Sequence, residues 1–266
     1  MRRDGVFWGI VVVLAGLILL VQQFYVLPSG FWPVFWSSVL ILLGVWFLLG
    51  PALFRREVKD TPVSVPLEGA AEADVRIRYG AGALQIGALA AGSSDLVSGT
   101  CIGGVDLEVN RGQQRVKVRL HTPHDVFWGF PGEIGPYGLA WNLGLNRGIL
   151  LRLKLDVGAS ETVLELADLM VRELDVKTGA SATRVTLPAA AGLTRVEIHS
   201  GAASVNLRLP EGVAGRIHVE SGLAGINVDT SRFPQVGGGY ETPGFDAAVN
   251  KAEISVKTGV GSIDIR

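Results

Sequence analysis

The sequence predicts two parts: an N-terminal two-helix transmembrane hairpin, then an all-β C-terminal domain built as a right-handed β-helix or solenoid-like stack. Three observations predict this. Two long uncharged apolar runs flank the turn-forming Pro28-Ser29-Gly30. Glycines recur at spacings of 21, 22 and 21 residues through Gly158, Gly179, Gly201 and Gly222. Apolar and polar residues alternate in many segments from Val75 onward. Composition agrees: of 266 residues, 48% are apolar, 18% are charged and 35 are glycine, where an ordinary soluble domain has roughly 25% charged residues. A two-sheet β-sandwich is the alternative for the β part, because strands every ~8–12 residues suit it too.

The hairpin reading rests on length and charge. Gly5 to Leu27 and Phe31 to Phe54 carry no charge, and roughly 20 residues of helix cross the hydrocarbon core. The expected helices run over about 5–27 and 31–54. A short link between them makes them antiparallel. Trp8, Tyr25, Trp32, Trp36 and Trp46 fall mostly near the expected ends, where amphipathic rings meet headgroups. A cleaved signal peptide is the rival reading, but Val21-Gln22-Gln23-Phe24 offers no small-residue cleavage site. Arg2 and Arg3 precede the first run, Arg55, Arg56 and Lys59 follow the second, and the link has neither Lys nor Arg. Positive flanks stay inside, so the expectation is a multi-pass plasma-membrane protein in contact with the lipid bilayer, both ends cytoplasmic. The domain boundaries follow: hairpin 1–56, linker 57–68 with Pro62 and Pro66 disfavouring helix, and β repeats 69–266.

In the repeat, Leu153, Leu174, Val196 and Ile217 stand five residues before the glycines, and Leu155, Val176, Ile198 and Val219 three before. Polar residues stand between them. Small residues follow each glycine, then a second strand. Gly80 and Gly259 fit the same frame, and 81–150 and 223–253 are left to extra strands and loops. One unit has too little apolar surface to stand alone, and stacked units share a core. The glycines are expected at tight turns, in backbone conformations that side-chain-bearing residues resist. Outward columns place Lys154 near Asp175 and Asp156 near Lys177, opposite charges that favour register.

Several chemistries find little support. Net charge is −1, without the basic field of a nucleic-acid binder. Cys101 alone permits neither an intramolecular disulfide nor a Cys-based zinc site. His121-Thr122-Pro123-His124-Asp125 is the densest set of metal-ligand types, and reads better as a solvated loop than as a metal site. Gly80-Ala81-Gly82 and Gly237-Gly238-Gly239 lack the Lys-Ser/Thr ending of a phosphate loop. Polysaccharide enzymes use clustered carboxylates, whereas the outward columns here mix Lys, Asp, Glu and His. The expectation is a non-enzymatic protein with no catalytic residue, metal or cofactor. The segment from Val126 through Trp141 is the most unusual: Phe127, Trp128, Phe130, Tyr137 and Trp141 are interrupted by glycine and proline. It reads as a loop capping one end of the solenoid, or as a contact surface for a partner or the membrane.

Two stretches carry a family resemblance. Phe7-Trp8-Gly9-Ile10, Phe31-Trp32-Pro33-Val34 and Leu43-Gly44-Val45-Trp46 resemble the transmembrane region of the LiaI and LiaF envelope-stress proteins. Trp141-Asn142-Leu143-Gly144-Leu145-Asn146, Leu153 to Ala159 and Leu174 to Ala180 are similar to the repeat domain of LiaF-like, toast-rack and adhesin-like proteins. The resemblance implies a bacterial membrane-anchored regulator of envelope-stress signalling that acts by contact with a membrane partner such as a sensor kinase, with homo-oligomers allowed. The alternative is an outward-facing adhesive or structural solenoid that binds polymer or self-associates.

Overall fold

The computed structural model describes residues 36–42, 45, 60–112, 114–123 and 139–266. The chain divides into two compact units, Met1–Val58 with Trp128–Tyr137, and Lys59–Phe127 with Gly138–Arg266. In the first, the described residues 36–42 and 45 are helical. This corrects the expected two-helix transmembrane hairpin and, with it, the multi-pass membrane localisation. Among the described residues no helix is long and apolar enough to cross a membrane. The expected helix over 5–27 and the rest of 31–54 lie outside the described residues.

Among the described residues the second unit is one sheet system of thirteen strands: β1 (Asp60–Pro66), β2 (Glu72–Ala88), β3 (Asp95–Ile102), β4 (Asp106–Arg111), β5 (Arg115–His121), β6 (Ala140–Leu145), β7 (Leu150–Glu165), β8 (Met170–Thr186), β9 (Leu193–Arg208), β10 (Ala214–Val228), β11 (Gln235–Val236), β12 (Gly239–Glu241) and β13 (Lys251–Ile265). A 3-10 turn, Phe245–Ala247, precedes β13. The long strands lie parallel and in register in the order β2, β7, β8, β9, β13, β10. Each must fold back on itself. Sixteen extended residues of β7 would reach about 50 Å, yet residues 166–169, which span at most about 14 Å, lead to β8 beside the start of β7. The fold comes at Gly158. Inward side chains change there from odd-numbered Leu151, Leu153, Leu155 and Val157 to even-numbered Ser160, Thr162 and Leu164. Each long strand is thus one coil with two faces around a shared core. Val75, Leu153, Leu174, Val196, Ile254 and Ile217 form one inward row, all buried. This is a β-solenoid, not the hairpin-connected sandwich that the strand spacing also allowed.

At the near end the two faces part. β5, then β4, extends the first face beside residues 72–78 of β2, while β6, β3 and β1 extend the second beside residues 83–88. At the far end β12 covers only Arg216 and Ile217 of β10. Ile226 occupies the row of Ile263 and Val205, but it is 41% exposed where they are 1%, because no further coil lies beyond it.

The sequence repeat gives the frame of each coil but not their order. Gly259 belongs between Gly201 and Gly222, since β13 enters between β9 and β10. The corner glycines also act differently from expectation. Positive φ occurs inside the long strands at Gly82 and Gly261, not at the corners. The corners need glycine because the backbones approach too closely for a side chain. A Cβ on Gly179 would sit 3.1 Å from the Gly158 carbonyl oxygen, on Gly201 3.1 Å from that of Gly179, on Gly259 2.7 Å from that of Gly201, and on Gly222 2.8 Å from that of Gly259. A Cβ on Gly158 would overlap the Gly80 carbonyl oxygen outright.

The first face is knitted by charge. Arg152 lies 3.3 Å from Asp74 and 3.7 Å from Glu173, Arg195 lies 3.3 Å from Glu253, and Arg216 lies 2.6 Å from Glu241. Lys154 reaches Asp175 at 2.5 Å, as the columns predict. Asp156 departs from expectation: it pairs with Arg76 at 2.7 Å and Arg78 at 3.6 Å rather than with Lys177. Partial burial works to raise the Asp156 pKa. The Arg76 hydrogen bond and the charges of Arg76, Arg78 and Lys154 more than offset it and hold the carboxyl below its usual value. Cys101, on β3, is fully buried, and desolvation pushes its thiol up to about 12.

Three outcomes follow from this packing. Gly158→Ala should lower stability by about 2 kcal/mol, the scale of an overpacked site, while Gly225→Ala, whose Cβ would meet nothing within 4 Å, should leave it unchanged; urea unfolding measures both. Asp156→Asn should cost about 1 kcal/mol at neutral pH. A depressed carboxylate pKa stabilises above the unfolded value of ~3.9 and ceases to do so as pH falls through the folded value, so the deficit should close in acid unfolding curves below about pH 4. Cys101 should resist a thiol reagent in the folded protein at pH 8, where roughly one thiol in 10⁴ is ionised, and react fully once unfolded.

Candidate functional site

The corner that folds each coil also opens a cleft. Its volume is about 520 Å³, and it runs across β8, β9, β13 and β10. The strands supply it by position. Lys177, His199, Lys257 and Glu220 stand two residues before their glycines, and Thr178, Ser200, Thr258 and Ser221 one before. In-register pairing sets these side by side, Lys177 against His199 and His199 against Lys257, then Lys257 against Glu220. Three basic side chains therefore lie on three successive coils above a row of hydroxyls.

Charge is unevenly balanced here. Glu220 takes Lys257 at 3.0 Å and His218 at 3.3 Å. Its pKa is lowered, first by the Lys257 hydrogen bond. Elsewhere on this face Arg76, Arg152, Lys154, Arg195 and Arg216 each have an acidic partner. Lys177 and His199 form no ion pair among the described residues. The Ser200 hydroxyl donates to Thr258 Oγ1 at 2.8 Å. Thr178 Oγ1 is buried with no hydrogen-bond partner among the described residues. Gly201, Gly222 and Gly259 complete the lining. The arrangement can hold an anion and donate hydrogen bonds around it. It holds no base paired with a nucleophile.

Of the residues singled out from the sequence, Trp141 lies on β6 at 1% exposure, its ring 5.0 Å from that of Tyr79, which puts it in the core. Phe127, Trp128, Phe130 and Tyr137 lie outside the described residues. His121 ends β5 with Nε2 3.8 Å from Asp106; His124 and Asp125 also lie outside the described residues. The cleft itself was not legible. In sequence order the acidic Glu220 falls between His199 and Lys257, and only the insertion of β13 brings the three basic residues together. Tabulating the residue two before each glycine, with coil order left free, is the signal that could have found it.

The comparisons match this architecture. Residues 54–208 match the family model for the N-terminal domain of toast_rack, DUF2154. A crystal structure of a candidate cell adhesion protein from Clostridium sporogenes ATCC 15579 superposes with a TM-score of 0.71 at 21% identity, covering 79% of this chain and 99% of that one. A candidate adhesin from Bacteroides fragilis NCTC 9343 covers 79% of this chain and 98% of its own, at 9% identity and a TM-score of 0.20, too low to bear on the fold. No curated protein matches the chain. The family match spans more than half of the residues and includes the coils β2, β7, β8 and β9: the chain belongs to the toast-rack family.

Proposed function

We propose that the chain is a non-enzymatic β-solenoid module, adhesive or structural in role, that works by surface contact with an extended polymer. The observation that carries this is the open cleft along the stacking axis, where a hydroxyl stands on each of four coils and a basic side chain on three of them. A rigid ladder presenting similar chemistry at successive steps suits a repeating ligand. Toast-rack membership supports the reading, as does the fold shared with a candidate cell adhesion protein. The envelope-stress role implied by the LiaF resemblance finds no such observation among the described residues.

Cosedimentation of the full chain with insoluble bacterial cell-wall polymer tests the reading, with sedimentation velocity to follow self-association. The expected result is cosedimentation that saturates with polymer. A chain that stays in the supernatant with every polymer would defeat the proposal, and concentration-dependent growth without polymer would replace it with self-assembly.

A further inference from the structure

We propose that the cleft at the glycine corner binds a carboxylated polysaccharide laid along the stacking axis, Lys177, His199 and Lys257 taking successive carboxylates and Ser200 and Ser221 the sugar hydroxyls. This rests on the surface-binding reading above, and assigns that reading a site and a ligand class.

Spacing is the first argument. Neighbouring strands lie ~4.8 Å apart, so the three basic groups repeat once per coil. A pyranose ring is about as long as one such step. A polymer with one carboxylate per sugar therefore meets one basic side chain per coil, which a compact anion cannot do.

Charge is the second. Lys177 and His199 form no ion pair among the described residues, while Arg76, Arg152, Lys154 and Arg195 on the same face each pair with an acid on an adjacent coil. Lys257 is shared with Glu220, which His218 also approaches. The imidazole needs no protonation to take part, since its neutral form still donates one N–H.

The lining is the third. A row of hydroxyls and a row of glycine backbone run side by side along the cleft, the donors and acceptors that sugar hydroxyls require. No aromatic side chain lines it, so it offers no platform for stacking bases, on which single-strand nucleic-acid binding relies. The cleft is also a trough rather than an enclosed pocket of the kind that buries most of a small molecule.

Calorimetric titration of the full chain with polygalacturonate, and with neutral dextran, tests the assignment. Polygalacturonate should bind and dextran should not. Lys177→Gln with Lys257→Gln should weaken binding about tenfold or more. Lys177→Arg with Lys257→Arg, which keeps both charges, should retain it. Arg184→Gln with Arg208→Gln removes the same charge from exposed positions on the other face and should leave affinity within about twofold. A thermal melt of each variant establishes that it is folded. Failure of polygalacturonate to bind, equal loss in the two Gln pairs, or equally tight binding of single-stranded DNA would each overturn the proposal. Cosedimentation with cell-wall polymer alongside a silent polygalacturonate titration would remove this site and ligand while leaving the module reading intact. Absence of both would remove the reading itself.

Discussion

Everything in the β domain depends on how closely the coils approach at their corners. Hydrogen bonding between parallel strands fixes the step at ~4.8 Å. At the corner, the carbonyl of one coil then points where the next coil's Cβ would be, 2.7 to 3.1 Å away from Gly179 to Gly259. Glycine meets this constraint by lacking the atom, not by adopting an unusual φ. With the corners closed, one strand can serve both faces, and four residues suffice to reach the next coil. The inward rows of Val, Leu and Ile then stack without a gap, and the core grows by one layer per repeat.

The same stacking arranges charge. Residues two, four and six before the glycines become columns, and the column six before alternates in sign through Asp74, Arg152, Glu173, Arg195, Glu253 and Arg216. Exposed pairs of this kind contribute about 0–1 kcal/mol each, so their main effect is to make a slipped register unfavourable. At Lys177, His199 and Lys257 no acidic side chain stands between neighbours in the column two before the glycines, which sets this stretch of the cleft apart from the alternating column.

Much of this is legible in the sequence because it is periodic. Leu153, Leu174, Val196 and Ile217 mark the inward row, and the glycine frame extends to Gly80 and Gly259. Lys154 and Asp175 pair as their columns predict. Legibility fails where geometry is not local. A period specifies what each coil looks like and is silent on which coil lies beside which. Trp141 closes the same aromatic stretch as Phe127, Trp128, Phe130 and Tyr137 in sequence, yet the stacking of β6 on β2 puts it against Tyr79 in the core. Apolar content likewise marked the first fifty residues without determining how much helix the described part of them forms.

The late entry of β13 bears on how the domain assembles. A solenoid ordinarily grows by adding each new coil to the last. Here β10 leaves the ribosome before β13, while the open edge of β9 awaits a strand with the glycine frame that both share. Direct docking of β10 on β9 would give a near-native stack with the wrong strand in place, the kind of trap that slows folding of larger chains. One column, six residues before the glycines, opposes it. In that misplaced register Arg216 would face Arg195, whereas Glu253 of β13 lies between them in the native order. Like charges directly opposite destabilise a strand pair. In the other two columns Glu220 and His218 of β10 would meet His199 and Glu197 without like charge, so Glu253 alone weighs against the wrong strand, by about 0–1 kcal/mol.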